Sequence, residues 1–250
     1  MAHASFRFHD ELNDFLPASR RAQRFVHEFD GTVSIKDMIE SLGVPHPEVF
    51  LILVNGQSVD FSYPVQSGEQ IAIYPLAQAR RLGMSSEVEP PPLDEYRFIL
   101  DAHLGRLAAH LRMLGFDTLY RNDYDDEELA LVSSREQRIL LSRDLGVLKR
   151  GIVTYGYFVR ETNPERQVVE ILRRYNLPAV VEPFKRCTRC NGLLLEVRKE
   201  EIYDRLPAET KQHYDDFRLC QSCDQVYWRG SHFQRIQQFI DGVIQDAQER

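Results

Sequence analysis

Tyr96-Arg97-Phe98-Ile99-Leu100-Asp101 reads as a short buried strand that ends on an acid, and the residues after it decide what kind of sheet it joins. Leu104, Leu107, Ala108, Leu111 and Leu114 recur at helical spacing, and Gly115 stops the helix. Arg106 and Arg112 fall off that apolar stripe. Phe116-Asp117-Thr118-Leu119-Tyr120 is a second strand, followed by the acids Asp123, Asp125, Asp126, Glu127 and Glu128. These acids open a helix over Asp126–Glu136, where negative charge suits the N-terminal dipole. Arg138–Ser142 is the third strand, with Asp144 just beyond it. Ile152–Val159 reads as the fourth, and Asn163-Pro164 caps and opens a helix through Tyr175. Strand and helix alternate with short connections. The predicted fold class is therefore α/β, a parallel sheet between helices.

Ligands of such sheets gather outside the carboxyl ends of the strands. Asp101 and Asp144 fall there, and Asp126, at a helix start after the second strand, can face the same crevice. Three carboxylates brought together repel one another, and a hard divalent cation such as Mg²⁺ or Mn²⁺ removes that conflict. Acids after strands are also ordinary loop residues, and those at 123–128 are equally what helix capping asks for. His103 and His110 are assigned no role.

Outward toward the N-terminus, residues 83–95 include Pro90-Pro91-Pro92 and read as a stiff, extended linker. Before it, Ser5–Phe8 and Arg24–Phe29 read as strands. Val33–Leu42 reads as a helix started by Thr32 or Ser34 and stopped by Gly43. Phe50–Val54 is a buried strand followed by the tight turn Asn55-Gly56, and Gln70–Tyr74 is the last strand. This ββαβ…β order, with Val65…Gly68-Glu69…Ile71 near its end, resembles the ubiquitin-like β-grasp fold, most of all the small sulfur carriers. Those carriers need a C-terminal Gly-Gly tail. Here Ile73-Tyr74-Pro75-Leu76-Ala77 runs on into more chain, so carrier chemistry is not carried over. A scaffolding role, or a protein partner bound through this part, is the simpler expectation. The linker also suggests that residues 1–82 are dispensable for chemistry.

Toward the C-terminus, Cys187-Thr188-Arg189-Cys190 and Cys220-Gln221-Ser222-Cys223 enclose 29 residues. Two CxxC knuckles offer four thiolates to a tetrahedral Zn²⁺ with no open position, which is a structural site. Asn191-Gly192 and Asp224 after the knuckles suit tight turns. Lys185, Arg186 and Arg189 surround the first knuckle. Tyr227-Trp228-Arg229-Gly230-Ser231-His232 follows the second, mixing aromatic faces with charge, a pattern that suits RNA. Tyr227 and Trp228 are as well explained as the small core of a ribbon. Residues 232–247, with Phe233, Ile236, Phe239, Ile240 and Val243, form an amphipathic helix.

The whole chain has 250 residues and a formal charge of −7, a sign opposite to that of a typical nucleic-acid binder. The acidity is concentrated at the front, where residues 1–89 carry 7 basic and 12 acidic groups. The global charge thus says little about the rest. No run of 18 apolar residues exists, so no membrane span is expected, and the N-terminus lacks the apolar stretch of a signal peptide. A cytoplasmic protein is the default expectation. The expected organisation is 1–82 β-grasp, 83–95 linker, 96–182 α/β domain and 183–250 ribbon with a C-terminal helix.

Three blocks taken together, Asp101 through Asp117, Asn122 through Leu129 and Arg138 through Asp144, resemble the Mut-seven C-terminal ribonuclease domain. That family is a branch of the PIN-like nucleases with a zinc ribbon at its end, and the resemblance covers about residues 96–235. A β-grasp module placed before this domain is a known arrangement in it. The resemblance implies a metal-dependent ribonuclease with Asp101, Asp126 and Asp144 as the three metal-binding acids and water as the attacking group. Arg106 and Arg143 would contact phosphate, and RNA would be the partner. Many PIN-like nucleases carry a fourth acid near the fourth strand. Here Phe158-Val159-Arg160-Glu161-Thr162-Asn163 has no aspartate, and Glu161 or Asn163 would have to serve. That departure keeps open a non-catalytic RNA-binding adaptor, and the β-grasp part keeps open a scaffold protein.

Overall fold

Three strand systems organise the chain in the computed structural model, which describes residues 1–230 and 233–249. Ser231, His232 and the side chain of Phe233, all named above, lie outside the described residues.

The first system uses β1 (Ala2–Phe8), β2 (Phe25–Phe29), α1 (Ile35–Ser41), β3 (Leu51–Val54), β4 (Gln57–Ser58), β5 (Gln70–Tyr74) and α2 (Leu76–Leu82). The strands lie in the order β2-β1-β5-β3-β4, with β1 antiparallel to β2 and parallel to β5. This is a β-grasp arrangement, one helix laid on a mixed sheet. Ile35 and Ile39 of α1 share a core with Phe6, Phe8, Ile52, Ile71 and Ile73. Ser34 is the N-cap, its hydroxyl accepting from Asp37 N at 3.1 Å. Asn55 and Gly56 have φ of 50° and 87°, which the two-residue hairpin turn between β3 and β4 demands. Helix α2 was not expected. Pro75 cannot donate to a ladder, so the chain leaves the sheet there, and Pro75 becomes the N-cap.

The second system follows in chain order as β6 (Phe98–Leu100), α3 (Gly105–Met113), β7 (Thr118–Tyr120), α4 (Asp126–Glu136), β8 (Ile139–Ser142), α5 (Leu145–Leu148), β9 (Gly156–Phe158) and α6 (Pro164–Tyr175). β6 pairs parallel with β7, Phe98 opposite Thr118, and β8 pairs parallel with β9, Leu140 opposite Gly156. Each pair needs an intervening helix to bring the chain back in the same direction, so the α/β class with a parallel sheet flanked by helices holds. The fourth strand is shorter than Ile152–Val159. Val153 N turns back to Arg150 O at 3.0 Å, and Val153 O accepts from the His46 ring at 2.8 Å, so neither group joins the ladder.

The third system holds the cysteines: β10 (Leu194–Val197), α7 (Lys199–Ile202), α8 (Ala208–His213), β11 (Phe217–Cys220), β12 (Val226–Trp228) and α9 (Phe233–Gln248). The three strands are antiparallel in the order β10-β11-β12. Ile202, Leu206, Phe217 and Val226 make a small core, with Trp228 packed against it.

The chain divides into two compact units that do not follow the linker. One joins Met1–Asp94 to Asp126–Phe158, and the other joins Glu95–Asp125 to Val159–Arg250. Within the first unit, the turn His46–Glu48 lies against β9. Its links are Glu48 to Phe158 N, His46 to Val153 O, and the Lys149 ammonium to Glu40 O at 2.7 Å. Residues 126–158 therefore cluster with the β-grasp part instead of standing apart from it. Within the second unit, α9 lies along α6. His110 of α3 meets Phe239 with ring centroids 4.7 Å apart, and Arg173 of α6 donates to Asp246 O at the end of α9.

Candidate functional site

The four cysteines come together because each knuckle bends its backbone around its own sulfurs. Asn191 N donates to Cys187 O at 2.9 Å and Asp224 N to Cys220 O at 3.1 Å. Asn191 and Asp224 take φ of 70° and 55°, the left-handed turn that Asn and Asp tolerate best. The four sulfurs all lie within 4.8 Å of one another, with Cys187–Cys223 at 3.7 Å and Cys190–Cys220 at 3.4 Å. A Zn–S bond of about 2.3 Å puts tetrahedral sulfurs roughly 3.8 Å apart, whereas a disulfide needs about 2.05 Å. The separations therefore fit a shared thiophilic ion, and the four cysteines are close enough to bind zinc. Burial raises the Cys187 thiol, but hydrogen bonds from Tyr227 and from the Cys190 and Arg189 backbone outweigh it and bring it down to about 7. Burial pushes Cys190 up to about 12.

The first knuckle is bolted to β7. Asn191 Oδ1 accepts from Thr118 N at 2.9 Å, and its Nδ2 donates to Asp117 Oδ1 at 2.8 Å. The Arg112 guanidinium donates to Thr118 O at 2.8 Å and, through Nη1, to Thr188 O and Arg189 O. Thr118 N and O point to the same side of β7, away from β6, and both are satisfied there by side chains. Arg112, off the apolar stripe, is nevertheless 6% exposed, because three backbone carbonyls satisfy it in the interior. Arg186, expected beside RNA, directs Nη2 to Asp117 at 3.1 Å and Nη1 to Asn191 O at 3.2 Å, half-buried.

The three acids sit at element boundaries. Asp101 follows β6 directly and is 6% exposed; its Oδ1 accepts from His103 N at 2.8 Å as the cap of a 3-10 turn. Tyr120, at the end of β7, covers that turn and donates its hydroxyl to Ala102 O at 3.1 Å. A Cβ at Gly105 would lie 2.7 Å from the Tyr120 oxygen, so only glycine lets the ring sit there. Nothing local in the sequence announces that contact. Asp126 is the exposed first residue of α4. Asp144 caps α5, accepting from Gly146 N at 2.6 Å, while its own amide donates to the buried Ser142 Oγ at 2.8 Å. Asp101 belongs to the second compact unit, and Asp126 and Asp144 belong to the first.

The remaining positions divide by environment. Arg106 is exposed on α3, and Arg143 has its guanidinium 6.0 Å over the Phe158 ring. Lys185 is ion-paired with Glu182, Arg189 is exposed, and Trp228 is half-buried against the ribbon core. Asn163 is spent as the α6 cap, accepting from Glu165 N and Arg166 N. Glu170, not singled out before, takes the Arg160 and Glu161 amides on its two oxygens. Among the described residues, no helix is long and apolar enough to cross a membrane.

A family model for the Mut7-C RNAse domain matches residues 96–240, and one for the Mut7-C ubiquitin domain matches residues 1–81. No curated protein matches. The crystal structure of the H. volcanii small archaeal modifier protein 1 aligns at 18% identity over 30% of this chain and 98% of that one, with a TM-score of 0.25. The RNAse-domain match spans more than half of the chain and agrees with the alternation of strands and helices over 98–175. This protein belongs to the Mut7-C RNAse domain family, with the family's ubiquitin-like domain in front.

Proposed function

We propose that this protein is a metal-dependent ribonuclease that hydrolyses RNA phosphodiester bonds, with Asp101, Asp126 and Asp144 holding Mg²⁺ or Mn²⁺. The observation that carries this reading is Asp101, a buried carboxylate at the carboxyl end of a parallel strand in a chain of the Mut7-C RNAse family. Carboxylate oxygens are the hard donors these ions prefer. A divalent ion there supplies charge neutralisation for the phosphodiester and activates water. The protein's own part is to hold the acids at rigid boundaries. The turn after Asp101 is pinned by Tyr120, and Asp144 is pinned at both its amide and its carboxylate. Arg106 and Arg143 would meet phosphate charge, and Lys185, Arg189 and Trp228 would line the path of the strand, with Arg186 supporting it from Asp117. The four cysteines would hold one structural zinc, and the reaction would take place in the cytoplasm.

The position of the family's fourth acid favours a second reading. Asn163 is committed to capping, which leaves Glu161 as the one carboxylate in that stretch. A binding protein without catalysis would keep the fold and the ribbon and hold the divalent ion weakly. The β-grasp part would then serve as a scaffold or bind a protein partner.

Cleavage of assorted RNAs in Mn²⁺, and none in chelator, separates the two. Asp101→Asn and Asp144→Asn should each abolish cleavage with the circular-dichroism spectrum unchanged, since each removes a metal-binding charge and some like-charge repulsion. Wild-type rates in both variants would refute the assignment.

A further inference from the structure

The first compact unit contains a carboxylate whose position the reaction does not require. Glu48 is 0% exposed, yet it belongs to the β-grasp part and its Oε1 accepts from Phe158 N, at the end of β9, at 2.7 Å. Phe158 stands opposite Ser142 in the β8–β9 ladder, and Ser142 is followed by Arg143 and Asp144. The Phe158 ring has the Phe15 ring of the β-grasp part edge-on to it at 5.5 Å and the Arg143 guanidinium 6.0 Å above it. A backbone amide and a ring of one residue are thus both gripped from the β-grasp side, while the same ring supports the cation next to Asp144. Burying a charged carboxylate is costly unless it is hydrogen-bonded, so a surface scaffold gains nothing from placing one here. A hydrogen bond to a charged acceptor is among the stronger ones and fixes the backbone it reaches.

We propose that Glu48 is a positioning residue for Arg143, the cation proposed to meet phosphate. By holding Phe158 it sets the platform on which Arg143 rests, and the β-grasp part becomes a built-in component of the RNA-binding wall. The proposal rests on the ribonuclease reading for its activity, and on the geometry of β8 and β9 alone for its structural content. The other contacts point the same way. His46 Nε2 donates to Val153 O, Tyr155 donates its hydroxyl to Pro91 O at 2.9 Å, and a Cβ at Gly156 would lie 3.1 Å from Pro47 Cβ.

The test compares full-length wild type, Glu48→Ala and Glu48→Gln by amide hydrogen exchange and by cleavage of single-stranded RNA in Mn²⁺. Glu48→Ala should speed exchange at 142–146 and 156–158 while β1, β5 and β6 keep wild-type protection. It should raise KM about tenfold, the equivalent of 1.4 kcal/mol, with kcat nearly unchanged. Glu48→Gln keeps an oxygen acceptor for Phe158 N and should restore both readouts. Glu48→Ala in an Arg143→Ala background should add little, because the two residues act through one platform. Unchanged exchange at 142–146, or fully additive effects with Arg143→Ala, overturns the proposal. If Glu48→Ala loses protection throughout the molecule, Phe15→Leu decides instead: it removes the supporting ring without disturbing a buried charge, and must speed exchange at the same segment. If the wild type cleaves no RNA, the ribonuclease reading fails by itself and the exchange measurements alone decide the role of Glu48.

Discussion

Strands β7 and β9 face the same problem and solve it with different hardware. Each pairs in parallel along one side, and each has a backbone amide on its other side that a side chain from an appended module accepts: Asn191 for Thr118 N, Glu48 for Phe158 N. The Asn191 bond comes from a knuckle whose shape depends on four cysteines. The Glu48 bond comes from a turn that rests on the β-grasp domain's own apolar core. One fastening therefore hangs on a cluster of four cysteines close enough to bind zinc, whereas the other hangs on an apolar core. An open strand side is a template for unwanted pairing, and each attachment occupies part of one edge of the sheet.

The largest expected effect breaks the β7 fastening. Structural zinc in small modules is worth about 10–16 kcal/mol of apparent binding energy near neutral pH, more than most domains have in total. Cys190→Ser, or a strong chelator, should unfold residues 184–230, release about one zinc per chain to a colorimetric dye, and deprotect the Thr118 amide. Phe158 should keep its protection. Elemental analysis without zinc, or a disulfide among these cysteines under reducing conditions, would remove the metal half of the contrast.

Next comes removal of the β-grasp part. The proline-rich linker, taken alone, predicts that residues 1–82 are dispensable, so that a chain starting near Leu93 folds and cleaves normally. The observed unit predicts the opposite. Phe158 N would lose a buried charge-assisted acceptor and Phe158 its packing partner, a loss on the order of 3–5 kcal/mol. Such a fragment should melt well below the full chain or aggregate. A fragment with full-length melting temperature and cleavage rate would show that the β9 contact is incidental.

Asn191→Ala makes a finer cut. It leaves the cysteines in place but strands Thr118 N, so it should cost about 1–3 kcal/mol by denaturant melting while zinc content stays at one per chain. Loss of zinc in this variant would mean that the side chain supports the knuckle more than it supports β7.

The smallest effect is the share of the pH dependence that His110 carries in the second unit. Burial lowers the His110 pKa, with Arg106 adding to the shift and the Pro164 carbonyl and Glu165 partly opposing it. The unfolded chain then binds the proton more readily than the folded one. The associated stability is fully present above the unfolded value near 6.5 and is lost as pH falls from there through the folded value. The melting temperature of wild type should drop more between pH 7 and 5 than that of His110→Phe, which keeps the ring against Phe239 without a titrating group. Equal slopes would remove His110 from the account.

What the sequence disclosed follows from how local each signal is. The buried strand runs at 98–100 and 139–142, the Ser34 and Asn163 caps and the CxxC pairs all lie within a few residues of what they specify, and the structure has them. Helices α2, α5, α7 and α8 did not register. Two of them open after a proline, Pro75 and Pro207, which reads as a breaker until the helix it caps is seen. The fastening of β7 did not register either. Asn191 reads as a turn residue and Arg112 only as a residue off the apolar stripe, because their partners Thr118 and Thr188 lie 73 and 76 residues away and no periodicity encodes them. Asp101 and Asp144 were legible as acids after strands, and their capping bonds agree, whereas Tyr120 over Gly105 depends on a close approach that only three dimensions reveal.

Glu48 and Phe158 are 110 residues apart, and that distance is also a time. At the about 5–20 residues per second of ribosomal synthesis, roughly 5–22 s pass between the two residues being polymerised. The β-grasp domain can collapse early, but its acid has no Phe158 amide to hold until the fourth strand emerges. During that interval the nascent chain carries a carboxylate that its final fold buries completely. A pause in translation before residue 158 would prolong that state, and a chaperone that shelters the half-finished surface would shorten its exposure. The order in which the messenger is read therefore sets when the β8–β9 part can first become rigid.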